Sequence, residues 1–212
     1  MTMKNKTATF DVDAQKGFTN ICPKELPVPG GETLAPVLNA MADLGRFRVG
    51  SKDAHGPAPA WASADRALMA TPTGLAEAPL YWPSHCVVGT EGFELLDGLP
   101  KPQDYQAFVF KGLEPGLHPF GACYHDVSER LSTGVIEVLK VEGIERVIVG
   151  GLAFDFCVKD TAIQLAKAGF EVIVVREACR AIADESAAAA TQAMLAAGVE
   201  IVETVKELSE RN

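Results

Sequence analysis

One cysteine of the chain stands where an enzyme would place a nucleophile. Cys157 lies in residues 150–158, which follow an apolar run and open a helix-like stretch. Backbone N–H groups and the positive end of a helix favour negative charge at such a point. A cysteine placed there tends towards the thiolate, which is the nucleophilic form of the side chain. The sequence therefore predicts a reactive, thiolate-like Cys157.

Three further groups that can do chemistry also follow strand-like runs. Asp13 comes after the first run, the pair Asp53-x-His55 after the second, Lys111 after the third and Cys157 after the fourth. A thiol beside a carboxylate is the arrangement that activates a nucleophile, and a carboxylate with an imidazole can ligate a metal ion. Each group alone is typical of a solvated strand end. Together, on four successive strands, they predict one functional site.

The elements that must position these groups alternate along the chain. Strand-like runs are predicted at 7–12, 46–50, 107–110, 146–149, 171–175 and 200–202. Helix-like runs are predicted from Gly30 to about residue 44, at 128–141, 155–168 and 186–197, and in the polar tail. This alternation predicts an α/β fold of three layers (α/β/α), with a mostly parallel sheet of about six strands and helices on both faces. Such folds bind ligands at the carboxyl ends of the strands.

One stretch lacks any period. We expect a single domain over residues 1–212, with a long loop insertion at about residues 56–83, which are rich in Ala and Pro. A loop of that length inside a compact domain is usually functional or contains short helices. Residues 61–70 are the candidate for one such helix.

Composition excludes several classes of protein. The chain has 212 residues, enough for one well-buried core, and a net charge of −9, which argues against a nucleic-acid partner. We find no apolar stretch long enough to span a bilayer and no secretory leader, so no membrane partner is expected. Five cysteines without a C-x-x-C pair predict reduced thiols and a cytoplasmic location. The sequence leaves a homo-oligomer open.

Five short motifs carry a resemblance to a known family. They are the D-x-Q-x-x-F spacing at residues 13–18, Ser-Lys-Asp-Ala-His at 51–55, Trp-Pro-Ser-His-Cys at 82–86, Phe-Lys-Gly at 110–112, and Gly-Leu-Ala-Phe-Asp-Phe-Cys-Val at 151–158. The chain thereby resembles the nicotinamidases and pyrazinamidases of the isochorismatase-like cysteine hydrolase superfamily. The similarity runs from about residue 7 to about residue 203 and is weakest between residues 56 and 80. It implies the isochorismatase-like hydrolase fold.

The resemblance also implies catalytic roles. Asp13, Lys111 and Cys157 would form the catalytic triad, with the carboxylate as the base for the thiol. The backbone N–H groups of Ala153 and Cys157 would form the oxyanion hole. The family's motif commonly has a cis peptide before the alanine, which here is the bond between Leu152 and Ala153.

By the same resemblance, Asp53, His55 and His85 would ligate one divalent metal ion. Two imidazoles and one carboxylate suit zinc first, with iron or manganese as alternatives. His118 and His125 carry no matching context, so we expect both to be structural.

The family's substrate pocket is aromatic. Phe18 and Trp82 resemble the residues that sandwich the pyridine ring, and Tyr124 falls where the family often has a further aromatic pocket residue. Ring stacking of this kind contributes about 0.5–1.5 kcal/mol beyond area burial.

Two features depart from the family's pattern. Many members carry a second histidine shortly after the D-x-H pair, and residues 56–61 contain none. Asp11 lies two residues before Asp13, on the same side of a strand of period two. Two carboxylates so placed could raise the pKa of one of them, but we expect Asp11 to pair with a nearby base or backbone N–H.

The resemblance implies hydrolysis of nicotinamide to nicotinate and ammonia through a thioester, as a step of NAD salvage, with pyrazinamide as a second substrate. Two alternatives stay open: a related cysteine amidohydrolase acting on a carbamoyl or ureido substrate, and a catalytically silent binding module. A dinucleotide-binding domain is discounted, because no G-x-G-x-x-G follows the first strand.

Overall fold

The computed structural model describes residues 3–211, and its centre is a sheet of six strands. They are β1 (Thr7–Val12), β2 (Phe47–Asp53), β5 (Ala107–Lys111), β6 (Arg146–Leu152), β7 (Glu171–Arg180) and β8 (Glu200–Val202). Their order is β5-β2-β1-β6-β7-β8, and every neighbouring pair is parallel. β1 and β6 are therefore the two central strands of the sheet.

Helices cover both faces of this sheet. They are α1 (Ala35–Ala42), α2 (Val135–Val141), α3 (Lys159–Lys167), α4 (Asp184–Ala196) and α5 (Val205–Arg211). One core packs α2, α3 and α4 against residues such as Phe10 and Val149, and the other packs α1 and α5 against residues such as Ile148 and Ile173. Neighbouring residues of one strand thus serve opposite cores, as the pleat requires. The predicted three-layer α/β/α fold is confirmed.

Two predicted helices begin elsewhere than the periodicity indicated. The helix predicted over 128–141 begins only at Val135, because Gly134 precedes it with a left-handed φ of 85°. The preceding residues turn around Asp126, whose carboxylate accepts the backbone N–H groups of Arg130 and Leu131. The helix predicted over 155–168 starts as a π-helical turn, Phe154–Val158, and continues as α3.

The segment 56–83 has structure of its own. Strands β3 (Pro72–Leu75) and β4 (Ala78–Leu80) form an antiparallel hairpin, and Arg66–Leu68 form a short 3₁₀ helix inside the predicted window. Trp61 is fully buried, and its indole N–H donates to the carbonyl of Leu117 at 3.2 Å. The segment is therefore fastened to the loop that follows β5.

Among residues 3–211, no helix has both the length and the apolar character needed to cross a bilayer.

The sheet has one point where its strand order reverses. From β1 the chain moves to β2 and β5 on one side, and then to β6, β7 and β8 on the other. Crevices at the carboxyl ends of strands beside such a point are the usual ligand sites of this architecture. Here the ends of β1, β2, β5 and β6 bring Asp13, Asp53, Lys111 and the turn containing Cys157 to one edge.

Candidate active site

Asp13 is held in an unusual backbone conformation directly after β1. Its φ of 43° lies in the left-handed region, which residues with a side chain rarely adopt. Ser51 on β2 supports it twice: its hydroxyl accepts the Asp13 N–H at 3.2 Å and donates to Asp13 Oδ1 at 2.6 Å. The carboxylate is thereby aimed along the strand ends.

Gln15, the polar residue of the D-x-Q motif, ties β1 to β2. Its side-chain amide donates to the carbonyl of Asp53 at 2.9 Å and accepts the Asp53 N–H at 2.8 Å. Because both bonds are to the backbone of Asp53, Gln15 holds the chain after β1 against the end of β2. Sequence reasoning identified the motif without assigning this role.

Lys111 is the fully buried cation at the centre of the site. Its Nζ lies 3.0 Å from Asp13 Oδ2, donates to Asp53 Oδ1, and lies 3.8 Å from Cys157 Sγ. A further bond of 3.2 Å to the carbonyl of Pro119 satisfies the ammonium. One lysine thus joins the proposed base, the proposed nucleophile and the proposed metal ligand.

The electrostatics correct the expectation of a thiolate-like cysteine. Burial raises the pKa of the Cys157 thiol well above its usual value; the Lys111 ammonium opposes this shift, and the carboxylates of Asp13 and Asp53 add to it. Burial also raises the pKa of Asp13, although Lys111 lowers it. The resting nucleophile is therefore a thiol, and a base of raised pKa stands beside it.

The turn that carries Cys157 is tightly constrained. The peptide between Leu152 and Ala153 is cis, as the resemblance implies. At Gly151, with φ 131°, a Cβ would lie 2.0 Å from the carbonyl oxygen of Val12, so no other residue fits between β6 and β1. Asp155 also ties this turn to the segment before α4. Its carboxylate accepts the N–H groups of Ile182 (3.1 Å) and of the residue after it.

Asp53, His55 and His85 converge as a metal site would require. Asp53 Oδ2 lies 3.6 Å from His55 Nε2 and 3.8 Å from His85 Nε2. Both Nε2 atoms are buried without a hydrogen-bond partner within the described chain. Each Nδ1 meets a carbonyl oxygen instead, that of Gly112 at 2.9 Å and that of Pro83 at 2.7 Å. Such bonds orient the other nitrogen towards a metal, so the donor set fits one divalent ion.

His118 is not an ordinary structural histidine, contrary to our expectation. A ligand atom of His118 lies within 4.8 Å of those of Asp53, His55 and His85. Burial lowers the pKa of both His85 and His118, so both rings are neutral and offer a lone pair. The spacing of the sequence could not reveal this, because His118 comes from an irregular loop after β5. His125 carries no such contact to the cluster.

A small pocket opens beside Cys157. Phe18 and Trp82 line it, together with Phe120 and Phe156, which sequence reasoning did not assign to it. The four aromatic side chains in this lining suit a flat ring.

Tyr124 does not line this pocket, and the prediction for it is corrected. Its backbone pairs with that of Ser132, and its ring packs against the other core, on the side of α2 and α3. Phe156 instead meets Trp82 edge-on, with ring centroids 4.9 Å apart. The turn that carries Cys157 thus contributes Phe156 to the aromatic lining.

Asp11 pairs with a base, as expected. Its Oδ2 accepts two bonds from Arg48, at 2.6 and 2.9 Å, and one from the Tyr105 hydroxyl at 2.9 Å. Burial nevertheless raises the pKa of Asp11 to about 6, since the opposing effects of Arg48 and Tyr105 are smaller. Asp11 contributes to the support of β1 and makes no bond to the reactive cluster.

Comparison with known proteins agrees with this geometry. Residues 77–206 match the isochorismatase domain family. The chain is 35% identical over 205 residues to a nicotinamidase of Acinetobacter baylyi, covering 94% of each chain. Its structure is similar to that of a nicotinamidase/pyrazinamidase of Acinetobacter baumannii, with a TM-score of 0.85 at 28% identity, covering 96% of this chain and 98% of that one. It is also similar to a pyrazinamidase of Pyrococcus horikoshii solved with zinc, with a TM-score of 0.73 at 26% identity, covering 93% and 99%.

Proposed function

The chain belongs to the isochorismatase family, and on this premise we propose that it is a nicotinamidase, an amidohydrolase that converts nicotinamide to nicotinate and ammonia. The observation that carries the proposal is the contact of Lys111 with Asp13 and Cys157 beside a pocket lined by aromatic side chains. The relatives' activities support pyrazinamide as a second substrate and a role in NAD salvage.

We propose Cys157 as the nucleophile and Asp13 as its base. The thiol gives its proton to Asp13 while the sulfur attacks the carboxamide carbon. The raised pKa of Asp13 makes it a stronger acceptor for that proton, since its proton affinity lies closer to that of the thiol. Lys111 stays charged, because Asp13 and Asp53 raise its pKa although burial lowers it. Its ammonium stabilises the negative charge that develops on sulfur.

The tetrahedral intermediate then collapses to the thioester. Its oxyanion would be held by the N–H groups of Ala153 and Cys157, which both line the pocket. The C–N bond breaks as Asp13 returns the proton to the leaving nitrogen, so ammonia departs. Water then attacks the thioester carbonyl, with Asp13 accepting its proton and passing it to the departing sulfur. Nicotinate leaves, and the free thiol is restored.

Substrate orientation would fall to the aromatic walls and the metal ligands. Phe18 and Trp82 offer ring faces and edges to a pyridine ring. Asp53, His55 and His85 would hold one divalent ion, which would supply Lewis-acid chemistry to a bound substrate. We propose zinc, because two imidazoles with one carboxylate suit it and the Pyrococcus horikoshii relative was solved with it.

We further propose that the chain acts as one catalytic domain, with residues 56–83 as an insertion that contributes Trp82 to the lining of the pocket. A cytoplasmic location is supported by the five cysteines, all of which are free thiols.

Ammonia release from nicotinamide tests the proposal directly. Wild-type protein should turn nicotinamide over, Cys157→Ala should lose at least about a thousandfold in kcat with an unchanged fold, and Cys22→Ala should match the wild type. Loss of a nucleophile commonly costs this much or more. Full activity in Cys157→Ala would refute the mechanism. Absent nicotinamide turnover with turnover of a carbamoyl or ureido amide would instead establish the related amidohydrolase, and no turnover at all a binding module.

A further inference from the structure

We propose that His118 is a fourth protein ligand of the metal ion, supplied by the loop after β5. The inference rests on the metal site of the proposed function and adds a residue that the motif spacing does not contain. The resulting donor set would be three imidazoles and one carboxylate.

The first observation is an unsatisfied nitrogen in the right place. His118 is buried, and its Nδ1 has no hydrogen-bond partner within residues 3–211. Leaving a buried polar atom unpaired costs about 1–3 kcal/mol. The Nε2 atoms of His55 and His85 are unpaired in the same way, and one ligand atom from each of the four residues lies within 4.8 Å of the others. A cation among the four residues would give both unpaired Nε2 atoms a partner and lie within reach of a His118 nitrogen.

The second observation is that the ring of His118 is held in place from several sides. Its backbone N–H donates to the carbonyl of Glu77 at 2.7 Å, just before β4. Its ring stacks on Trp61, with centroids 4.0 Å apart and planes 22° apart. The next residue, Pro119, accepts the bond from Lys111. A ring fixed in this way is preorganised for ligation, because little side-chain freedom is lost when the ion binds.

The third observation concerns the segment that lacks a histidine. Residues 56–61 end at Trp61, whose ring contacts both His55 (4.6 Å between centroids) and His118. Trp61 itself has no atom that can ligate a metal ion. The donor beside it is His118, from the loop after β5, whose ring stacks on the indole. Three imidazoles favour borderline ions such as zinc, iron or cobalt over the oxygen-preferring magnesium and manganese.

Metal binding by three variants tests the assignment. His118→Phe keeps a ring for Trp61 and removes the donor, His118→Ala removes both, and His125→Phe is the control in the same loop. Zinc affinity is measured by chelator competition, and the cobalt-substituted proteins are compared by visible absorption. We expect His118→Phe and His118→Ala to bind zinc at least about tenfold to a hundredfold more weakly, the range seen when even indirect supports of a metal are removed. Their cobalt spectra should also change, and added imidazole should restore the spectrum of His118→Ala. His125→Phe should match the wild type.

X-ray absorption of the zinc-loaded wild type makes the test independent of any variant's folding. Three coordinated imidazoles are expected, and two would overturn the proposal. Zinc affinity and cobalt spectrum unchanged in His118→Phe would also overturn it, whether or not KM rises, since a raised KM alone identifies a substrate contact. Failure of the wild type to bind zinc or cobalt at all would instead refute the metal site of the proposed function.

Discussion

The buried carboxyl of Asp11 predicts how the stability of the fold responds to pH. Asp11 is 2% exposed and accepts three bonds on Oδ2, while Oδ1 has no partner within the described residues. Its pKa is about 6 in the folded protein against 3.8 for a free carboxyl. The folded state therefore binds this proton more tightly than the unfolded state. The stabilisation is complete below about pH 4 and is lost as the pH rises through about 6.

The size of the effect follows from the same two values. Each unit of pKa difference is worth about 1.4 kcal/mol, so ionisation of Asp11 costs about 3 kcal/mol in total. About 2 kcal/mol of that should fall between about pH 4.5 and about pH 8. Asp11→Asn removes the titration and keeps the size of the side chain. The free energy of unfolding of the wild type, minus that of the variant, should therefore fall by about 2 kcal/mol over this range.

Urea unfolding at several pH values, followed by circular dichroism, measures this difference. Asp43→Asn is the matched control, because Asp43 is exposed at the end of α1 and the same substitution there should leave the difference flat. A flat difference for Asp11→Asn would refute the reasoning. So would a wild type that gains stability over the variant with rising pH, because this would mean that the Arg48 pair outweighs burial.

Three further substitutions test the supports of the site. Ser51→Ala removes the hydroxyl bond to Asp13 and so raises the pKa of Asp13 further. Because Asp13 must be ionised to act as the base, the acidic limb of kcat/KM should move to higher pH, and an unmoved limb would contradict this. Gly112→Ala places a Cβ 2.5 Å from the ring of His55, at a φ of 79°; zinc titration should give at least about tenfold weaker binding, and wild-type affinity would disprove the clash. Asp155→Ala removes the acceptor of two partly buried N–H bonds, so urea unfolding should show a loss of about 1 kcal/mol, and an unchanged stability would argue against that anchoring role.

Much of the site could be predicted because its residues follow strands. Asp13, Asp53, Lys111 and Cys157 come at the ends of apolar runs, and parallel strands bring those ends to one edge. Periodicity and short motifs are local signals. They are sufficient to predict a site residue that directly follows a strand, because the sheet fixes the position of that residue. Gly134 shows the limit of the same signal, since the apolar spacing of residues 128–141 continues across a glycine that sets the start of α2.

The parts that could not be predicted depend on how loops pack. His118 and Phe120 belong to an irregular segment whose path is fixed by bonds to Glu77 and to Lys111, and no spacing in the sequence encodes such bonds. The protonation of Cys157 was likewise misjudged. A position at a helix start favours a thiolate, but the depth of burial and the facing carboxylates decide the balance, and both depend on the folded chain.

The single ammonium shared by Asp13, Asp53 and Cys157 has a consequence for the evolution of this scaffold. A neutral substitution at Asp13 or at Asp53 removes one of the two carboxylates that balance the Lys111 ammonium. The attraction between this ammonium and the remaining groups, Cys157 among them, then changes. Their effects should therefore be strongly epistatic rather than additive. New activities should arise more readily through the aromatic wall formed by Phe120 and Phe156. That wall can vary residue by residue, whereas the charged cluster can change only as a unit.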